Sequence, residues 1–128
     1  MSDLFTVEII SPDQSILKQE TNEATIPSYE GQMGILKNHI PLITFLRPGI
    51  IEINGSKKVK YFIEDGTVEF SNNNLVILSS TIIETINLTK DKIDKIIEES
   101  KSFLNRDTLD DKKRYILSHK IDCLQRIN

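Results

Sequence analysis

Short runs of β-branched and aromatic residues, separated by turn-forming residues, fill the chain as far as Thr85. Residues 4–10 read LFTVEII and end at a Ser-Pro-Asp turn, and residues 57–64 read KKVKYFIE, in which apolar and charged side chains alternate. Alternation with a period of two is typical of strands that bury one face. Many short strands with no helical pattern between them predict an antiparallel β-sandwich or flattened barrel, because such sheets must cover their apolar faces and their edges.

Glycine, asparagine and aspartate mark the expected turns between these strands. Glycine adopts positive φ without steric cost, and asparagine and aspartate side chains cap tight turns. Two glycines followed by His39 and Pro41 also favour a shaped loop whose backbone approaches another group closely, although the apolar residues around them can equally belong to the core. The expected turn positions are Gly31, Gly34, Asn54-Gly55, Asp65-Gly66 and Ser71-Asn72-Asn73-Asn74.

After Leu88 the spacing of apolar residues becomes helical. Thr89 can cap a first helix with Asp91 near the positive end of its dipole, and this helix is expected to end near Asn105. Thr108 begins the Thr-x-x-Asp cap signature of a second helix. The predicted apolar face comprises Ile93, Ile96, Ile97, Phe103 and Leu104 in the first helix, and Leu109, Ile116, Leu117, Lys120, Cys123, Leu124 and Ile127 in the second.

Two amphipathic helices of about 40 residues in total are too small to be stable alone. Their apolar face must therefore lie on the sandwich or on another protein. The predicted fold class is α+β and mainly β, with a β-sandwich domain at residues 1–86 and a two-helix antiparallel hairpin at residues 87–128.

The charge pattern disfavours a nucleic-acid partner. The formal net charge is −3, and residues 1–88 carry 6 basic and 11 acidic side chains, so the larger part of the chain lacks the basic surface that such binding needs. No run of about 18 apolar residues could cross a bilayer, and the first twenty residues lack the pattern of a signal peptide, so no direct membrane insertion is expected. The single cysteine excludes an internal disulfide and fits a reducing compartment such as the cytoplasm.

Few residues indicate a catalytic or metal-binding site. His39 and His119 are far apart and no His or Cys pair has metal-ligand spacing, so no metal site is predicted. No nucleophile motif or phosphate-binding loop is present, which disfavours an enzyme. Cys123 lies on the predicted apolar helical face, where a packing role is favoured over a nucleophilic one. A stand-alone β-sandwich that binds a ligand or peptide is an alternative, although the chain has no Trp and only three Tyr for an aromatic platform.

Residues 30–49 read EGQMGILKNHIPLITFLRPG and carry the most specific pattern in the chain. The segment resembles the signature of the epsilon subunit of F-type ATP synthases, a Gly-x-x-Gly-(Ile/Val)-Leu-x-x-His-x-Pro-Leu motif followed by an apolar stretch and (Lys/Arg)-Pro-Gly. The resemblance extends over the whole chain, since the family combines a β-sandwich with a C-terminal helical hairpin. The matching residues are Gly31, Gly34, Ile35, Leu36, His39, Pro41, Leu42, Arg47, Pro48 and Gly49.

This resemblance implies a non-catalytic rotor subunit of the central stalk, which binds gamma and the membrane ring and couples proton-driven rotation to ATP synthesis. It implies a peripheral location on the cytoplasmic face of the inner (plasma) membrane. Gln32 stands where many members carry an acidic residue facing the ring, and Glu30 can compensate for it. The implied interface with ring and gamma comprises Glu30, Gly31, Gln32, Met33, Gly34, His39, Pro41 and Leu42.

The hairpin carries two further expectations. In some members basic residues of the second helix contact an acidic segment of a beta subunit in the catalytic head and block ATP hydrolysis. The residues that suit this role are Lys112, Lys113, Arg114 and Lys120, and for the run Lys112-Lys113-Arg114 a solvated helix face is the alternative. Some members hold ATP through an Ile-Asp-x-x-Arg-Ala motif, which here reads Ile86-Asn87-Leu88-Thr89-Lys90-Asp91. Because the acid, the arginine and the alanine are replaced at Asn87, Lys90 and Asp91, we expect weak or absent ATP binding and no cofactor.

Overall fold

A computed structural model describes residues 3–105 and 110–127 of the chain. Within these ranges nine strands form one sheet, and two helices follow. The predicted fold class is confirmed. The strands are β1 (Phe5–Ile10), β2 (Ser15–Ser28), β3 (Gly31–Leu36), β4 (Leu42–Leu46), β5 (Gly49–Gly55), β6 (Lys58–Ile63), β7 (Gly66–Ser71), β8 (Asn74–Leu78) and β9 (Ile83–Glu84), and the helices are α1 (Lys90–Leu104) and α2 (Asp111–Ile127).

The sheet folds back on itself because β1 pairs with both β2 and β8. Strands β1, β8, β7, β4 and β2 thus form a flattened barrel, and β5, β6 and β9 extend the sheet beyond β2. The alternating residues of β1, Phe5, Val7 and Ile9, are buried in this core, as its sequence pattern predicts. The pairing of β1 with β8 is parallel. Local turn signals specify only antiparallel hairpins, so the sequence did not predict this pair.

The glycine turns were only partly predicted. Left-handed φ occurs at Gly31 and at Asn38, Asn72 and Asn73, so the asparagine turn between β7 and β8 is confirmed. Gly55 and Gly66 lie at strand ends beside the turns at residues 56–57 and 64–65, whereas Gly34 lies inside β3. None of the three has a left-handed φ, so the expectation of positive φ at these glycines is wrong. Close packing explains the glycine at position 66, because a Cβ atom there would lie 2.6 Å from the Leu78 carbonyl oxygen.

Capping residues lie at both ends of α1 and at the start of α2. The Thr89 side chain accepts a hydrogen bond from the Lys92 amide at 3.3 Å, and α1 ends at Leu104 with Asn105 as its C-cap, both as predicted. The predicted cap at Thr108 and the apolar position Leu109 lie outside the described residues. In α2 the amide of Lys113 donates to Asp110 Oδ1 at 2.8 Å, which satisfies one of the free amides of the first turn.

The hairpin packs on the outer face of the sheet through a second cluster, which we call the hairpin core. Phe62 of β6 points away from the barrel interior and is 1% exposed beneath the helices. Phe103 was assigned to the packed face but is 46% exposed, so that assignment is wrong. Ile121, which the sequence pattern omitted, is buried instead. The buried members of the hairpin core are Phe62, Leu88, Ile93, Ile97, Ile121 and Leu124.

The boundary between residues 86 and 87 falls inside a short 3-10 turn, Thr85–Asn87, that joins β9 to the hairpin. The division into domains 1–86 and 87–128 remains a prediction. No helix in the described ranges is long and apolar enough to cross a membrane.

Candidate protein-docking site

The turn between β2 and β3 presents Glu30 to solvent on a rigid support. Ser28 is fully buried, and its hydroxyl donates to the Gly31 carbonyl oxygen at 2.7 Å and accepts from the Glu30 amide at 3.2 Å. Gly31 has a φ of 122°, a conformation that L side chains rarely adopt. The glycine and the buried serine therefore fix the backbone of the turn from which the Glu30 side chain projects.

The remaining signature residues of this segment lie in a strand rather than in a loop. The expected loop at Gly31 to Gly34 is the first part of β3, where Gln32 and Gly34 are exposed and Met33 is partly buried against the barrel core. The alternation arises because successive side chains of a strand point to opposite faces. Gln32 and Gly34 therefore share the outer face.

The turn between β3 and β4 is held by two asparagines. The Asn38 amide donates to Asn73 Oδ1 at 2.7 Å, and Asn73 Nδ2 donates to Asn38 Oδ1 at 3.1 Å. The His39 amide donates to the Leu36 carbonyl oxygen, and the His39 ring lies edge-on to Phe70 with the centroids 5.8 Å apart. In this structure His39 therefore helps to fix the turn.

Beyond His39, the predicted residues Pro41 and Leu42 are exposed and partly buried, respectively. An exposed apolar surface lies beside them that the predicted site did not include. Monomeric soluble proteins seldom expose large contiguous apolar patches, so such a surface indicates contact with a partner. Its signal in the sequence is that apolar residues of β4 occupy both faces of the strand. The surface, which we call the apolar strip, comprises Leu36, Ile40, Ile43, Phe45 and Leu78, exposed by 57%, 75%, 79%, 64% and 46%.

The strip is not flat. Ile43, Phe45 and Leu78 line an open groove of about 1100 Å³, and Tyr29 and Lys112 lie on its border. The pairing of β4 with β7 sets Ile43 opposite Glu69 and Phe45 opposite Thr67. The groove therefore offers apolar side chains within a polar and charged frame, the arrangement of a protein interface with an apolar centre.

The hairpin touches the β2–β3 turn directly. The rings of Tyr29 and Tyr115 stack with their centroids 6.0 Å apart, and the Tyr115 hydroxyl donates to the Tyr29 carbonyl oxygen at 3.4 Å. Tyr115 in turn lies edge-on to His119, with centroids 4.4 Å apart. One face of α2 is thus held against the turn that presents Glu30.

The four predicted basic residues of α2 do not form one patch. Lys112 and Lys113 are exposed near the start of the helix. Arg114 Nη1 donates to the Leu104 carbonyl oxygen at 3.1 Å. Leu104 is the last residue of α1, and the negative end of the helix dipole stabilises the Arg114 cation there. Lys120 forms a salt bridge with Glu64 of the sandwich. Arg114 and Lys120 therefore contribute to holding the folded hairpin, whereas Lys112, on the border of the groove, and Lys113 are exposed.

The inner face of α2 carries two titratable groups beside Arg47. Partial burial, and then the Arg47 charge, lower the pKa of His119 against an opposing contribution from Asp122. Burial raises the pKa of the Cys123 thiol from 9.0 to about 11. Cys123 is partly buried against the hairpin core. A thiol held protonated in this way is a poor nucleophile, which supports the predicted packing role.

The residues of the degraded nucleotide motif are spread over the connection to the hairpin. Ile86 is 80% exposed, and Lys90 is exposed at the start of α1. The Asn87 carbonyl oxygen accepts from Lys92 Nζ at 3.4 Å. Among the residues that the structure describes, no three His, Cys, Asp or Glu side chains lie together in a way that could hold a metal ion.

Comparison with known proteins agrees with this architecture. A family model described as the beta-sandwich domain of the ATP synthase delta/epsilon chain matches residues 4–85, which include all nine strands. The ATP synthase epsilon chain of Pelagibacter ubique (strain HTCC1062) is 42% identical over 130 aligned positions that cover 100% of both chains. This chain belongs to the family of ATP synthase epsilon chains. The resemblance inferred from residues 30–49 is thereby confirmed.

Other epsilon chains and a solved structure extend the match beyond the sandwich. The epsilon chain of Allorhizobium ampelinum (strain ATCC BAA-846 / DSM 112012 / S4) is 28% identical over 130 positions, covering 100% of this chain and 96% of its own. A chain in the cryo-EM structure of Euglena gracilis mitochondrial ATP synthase, with OSCP, F1 and c-ring in rotational state 1, shares the fold. That match has a TM-score of 0.81 at 23% identity and covers 98% of this chain and 82% of the other.

Proposed function

We propose that this chain is the epsilon subunit of an F-type ATP synthase, a non-catalytic central-stalk subunit. It rotates with gamma and the membrane ring and so transmits proton-driven rotation to the catalytic head. The observation that carries the proposal is an exposed apolar strip on a rigid sandwich of the epsilon-chain family. A protein that works by docking needs such a surface, and it needs no catalytic group of its own.

The gamma subunit occupies the apolar strip in this proposal. Ile43 and Phe45 are the largest exposed apolar side chains of β4, and the strand that carries them is paired with β7 along its whole length. Apolar side chains on a well-ordered strand lose little conformational entropy on binding, which favours tight association. A tight contact is what torque transmission requires.

The membrane ring contacts the β2–β3 turn. Glu30 and Gln32 project from this turn and from the adjoining outer face of β3, and the buried Ser28 hydroxyl fixes the turn. A polar, rigid turn suits the polar loops of a ring subunit, and Glu30 supplies the charge that Gln32 lacks. The assembled subunit then lies peripherally on the cytoplasmic face of the membrane.

The hairpin adds a regulatory role. If the helices leave the sandwich and enter the catalytic head, the exposed side chains Lys112 and Lys113 are placed to contact an acidic segment of an alpha or beta subunit. Arg114 and Lys120 become available only after the Leu104 and Glu64 contacts break. The folded hairpin therefore conceals half of the basic face.

The apolar strip can be tested with two isoleucines of equal exposure. Ile43 on the strip is 79% exposed and Ile86, outside it, is 80% exposed. We expect Ile43→Asp to weaken binding of the full chain to a gamma-containing catalytic head by at least about tenfold, because a charge is buried against an apolar partner. Ile86→Asp serves as the matched control and should bind as the unsubstituted chain does. Binding is measured by surface plasmon resonance on a head depleted of this subunit.

Equal affinities of the Ile43→Asp and Ile86→Asp variants for the head would show that gamma does not bind the apolar strip. Failure of the unsubstituted chain to bind would overturn the proposed function as a whole. A stand-alone module that binds a ligand or peptide, which could use the same groove, predicts that second result.

We also propose that ATP binds this chain weakly or not at all. Asn87 and Lys90 replace the acid and the arginine of the nucleotide motif, and Asp91 adds a charge that repels phosphate. Millimolar ATP should therefore leave the thermal unfolding temperature of the full chain unchanged. The variant Asn87→Asp/Lys90→Arg/Asp91→Ala, which restores the motif, is the comparison. A clear upward shift in the unsubstituted chain would contradict this proposal.

A further inference from the structure

For four of the five glycines, contacts or backbone geometry within the chain explain why no larger residue is present. Gly31 has a left-handed φ, as described above. At the other three an added Cβ atom would lie less than 3.0 Å from a neighbouring atom, closer than real Cβ contacts allow. These are Gly49 against Pro27 Cβ at 2.6 Å, Gly55 against the Glu20 carbonyl oxygen at 2.9 Å, and Gly66 against the Leu78 carbonyl oxygen at 2.6 Å.

Gly34 has no such reason. Its φ lies outside the left-handed region, and no heavy atom lies within 4 Å of the position that a Cβ would occupy. The register of β3 against β2 runs without a shift past Gly34, so no β-bulge explains it. Glycine inside a strand is intrinsically unfavourable. Nothing in the described part of the chain therefore accounts for glycine at this position.

The surroundings of Gly34 indicate contact from outside the chain. Strand β3 pairs only with β2 among the described strands, so its outer edge offers unpaired backbone donors and acceptors. Gln32, Gly34 and Leu36 are exposed on one face of this edge strand. A glycine at the centre of such a face lets another polypeptide come closer to the backbone than any side chain would permit.

We propose that Gly34 marks a close approach between the backbone of β3 and a segment of the gamma subunit. The inference rests on the proposed function and names a contact within it. Gamma is favoured over the ring because Leu36, two residues along the same face, is apolar and 57% exposed, and Ile40 in the turn that follows is apolar and 75% exposed. The polar turn at Glu30 lies at the opposite end of β3. The gamma segment places backbone or small side chains against Gly34 and an apolar side chain against Leu36.

The test adds volume at Gly34 in the full chain. Gly34→Ala and Gly34→Val are compared with Ser56→Thr, which adds one methyl group at an exposed turn residue away from β3. Affinity is measured separately for the gamma-containing head and for the isolated membrane ring, and stability is measured by urea unfolding. We expect both Gly34 variants to unfold at the same or a higher urea concentration than the unsubstituted chain, because alanine and valine suit a strand better than glycine.

We expect affinity for the head to fall by about tenfold or more for Gly34→Ala and further for Gly34→Val, with Ser56→Thr unchanged. A lower unfolding midpoint for Gly34→Ala would overturn the inference, since an internal need for glycine would then exist. Unchanged affinity for the head would also overturn it. If the Gly34 variants lose affinity for the ring alone, the backbone of β3 approaches the ring and not gamma. If the unsubstituted chain binds neither, the proposed function fails as well, whereas unchanged binding by the variants leaves that function intact.

Discussion

At the scale of single residues, His119 gives the chain a pH dependence. Its pKa is lowered from 6.5, first by burial and then by the Arg47 charge, while Asp122 opposes the change. In the unfolded chain the imidazole takes up a proton near pH 6.5, whereas the folded chain resists protonation until a lower pH. The unfolded state then binds more protons, so the free energy of unfolding decreases as the pH falls below 6.5. This contribution is fully present above that pH.

We therefore expect His119→Gln to flatten the acid side of the stability profile. The measurement is the free energy of unfolding by urea at about pH 7.5 and about pH 5.5. His39→Gln is the control, because His39 lies on the sandwich beside Phe70 and away from α2. The expectation fails if the unsubstituted chain and His119→Gln lose the same free energy between the two pH values.

Residue identities predicted the turns around β3 better than the strand between them. Turns are present beside Gly31 and around His39, as their residue types indicate, but the expected loop at Gly31 to Gly34 is part of β3. A glycine is ambiguous in sequence, because it serves positive φ at Gly31, close packing at Gly66 and neither at Gly34. Only the positions of neighbouring atoms distinguish these cases. The apolar strip was missed for a similar reason, since the exposure of Ile43 depends on what covers β4.

At the scale of elements, the hairpin depends on its packing on the sandwich. The hairpin core buries six side chains, and Phe62 is its buried contribution from the strands. We expect Phe62→Ala to remove about 3–5 kcal/mol from this contact. Because helices of this length are marginal alone, the hairpin should detach while the barrel, with its separate core, stays folded.

Amide hydrogen exchange tests that prediction, because it reports protection separately for each helix and strand. In Phe62→Ala the amides of α1 and α2 should lose protection, while those of β1 and β8 keep it. Phe70→Ala is the matched control, because Phe70 is 1% exposed in the barrel core and its loss should lower protection throughout the sandwich. Retained protection in both helices of Phe62→Ala would show that the hairpin does not need the sandwich.

The elements themselves were largely predictable because their signals are local. Alternation identified β1 and β6, and the Thr89 cap and the Asn105 end of α1 were identified from residue type and spacing. The parallel pairing of β1 with β8 was not predicted, since those strands are distant in sequence and no turn connects them. Phe62 likewise reads as an ordinary strand residue until α2 is placed on the outer face of the sheet.

At the scale of the whole molecule, a salt bridge connects the hairpin to the sandwich. Lys120 of α2 pairs with Glu64 just beyond β6, and the side chains are only 19% and 36% exposed. A partly buried pair resists screening by salt better than a surface pair does. If the hairpin exchanges between a folded and an extended position, this pair stabilises the folded one, because the extended position separates the two residues.

We expect Glu64→Gln, which removes the pair and keeps the Lys120 charge, to increase inhibition of ATP hydrolysis by the full chain. A loss of about 1 kcal/mol from the folded position raises the extended population roughly fivefold, because each 1.4 kcal/mol corresponds to a factor of ten. The measurement is the hydrolysis rate of a catalytic head depleted of this subunit and titrated with each variant. Lys120→Met removes the same contact but also a cation that the extended hairpin offers to the acidic segment of the head, so it should increase inhibition less than Glu64→Gln does.

Lys112→Glu/Lys113→Glu tests the same mechanism in the opposite direction. These lysines are exposed and make no contribution to the Glu64 pair, so their reversal should leave the folded hairpin intact and weaken its hold on an acidic segment of the head. Inhibition should therefore rise when the salt bridge is removed and fall when the exposed lysines are reversed. If all variants inhibit equally, or none inhibits at all, the hairpin does not act as a brake. Its packing on the sandwich would then serve the stability of the subunit and the fixed orientation of Tyr29 against Tyr115.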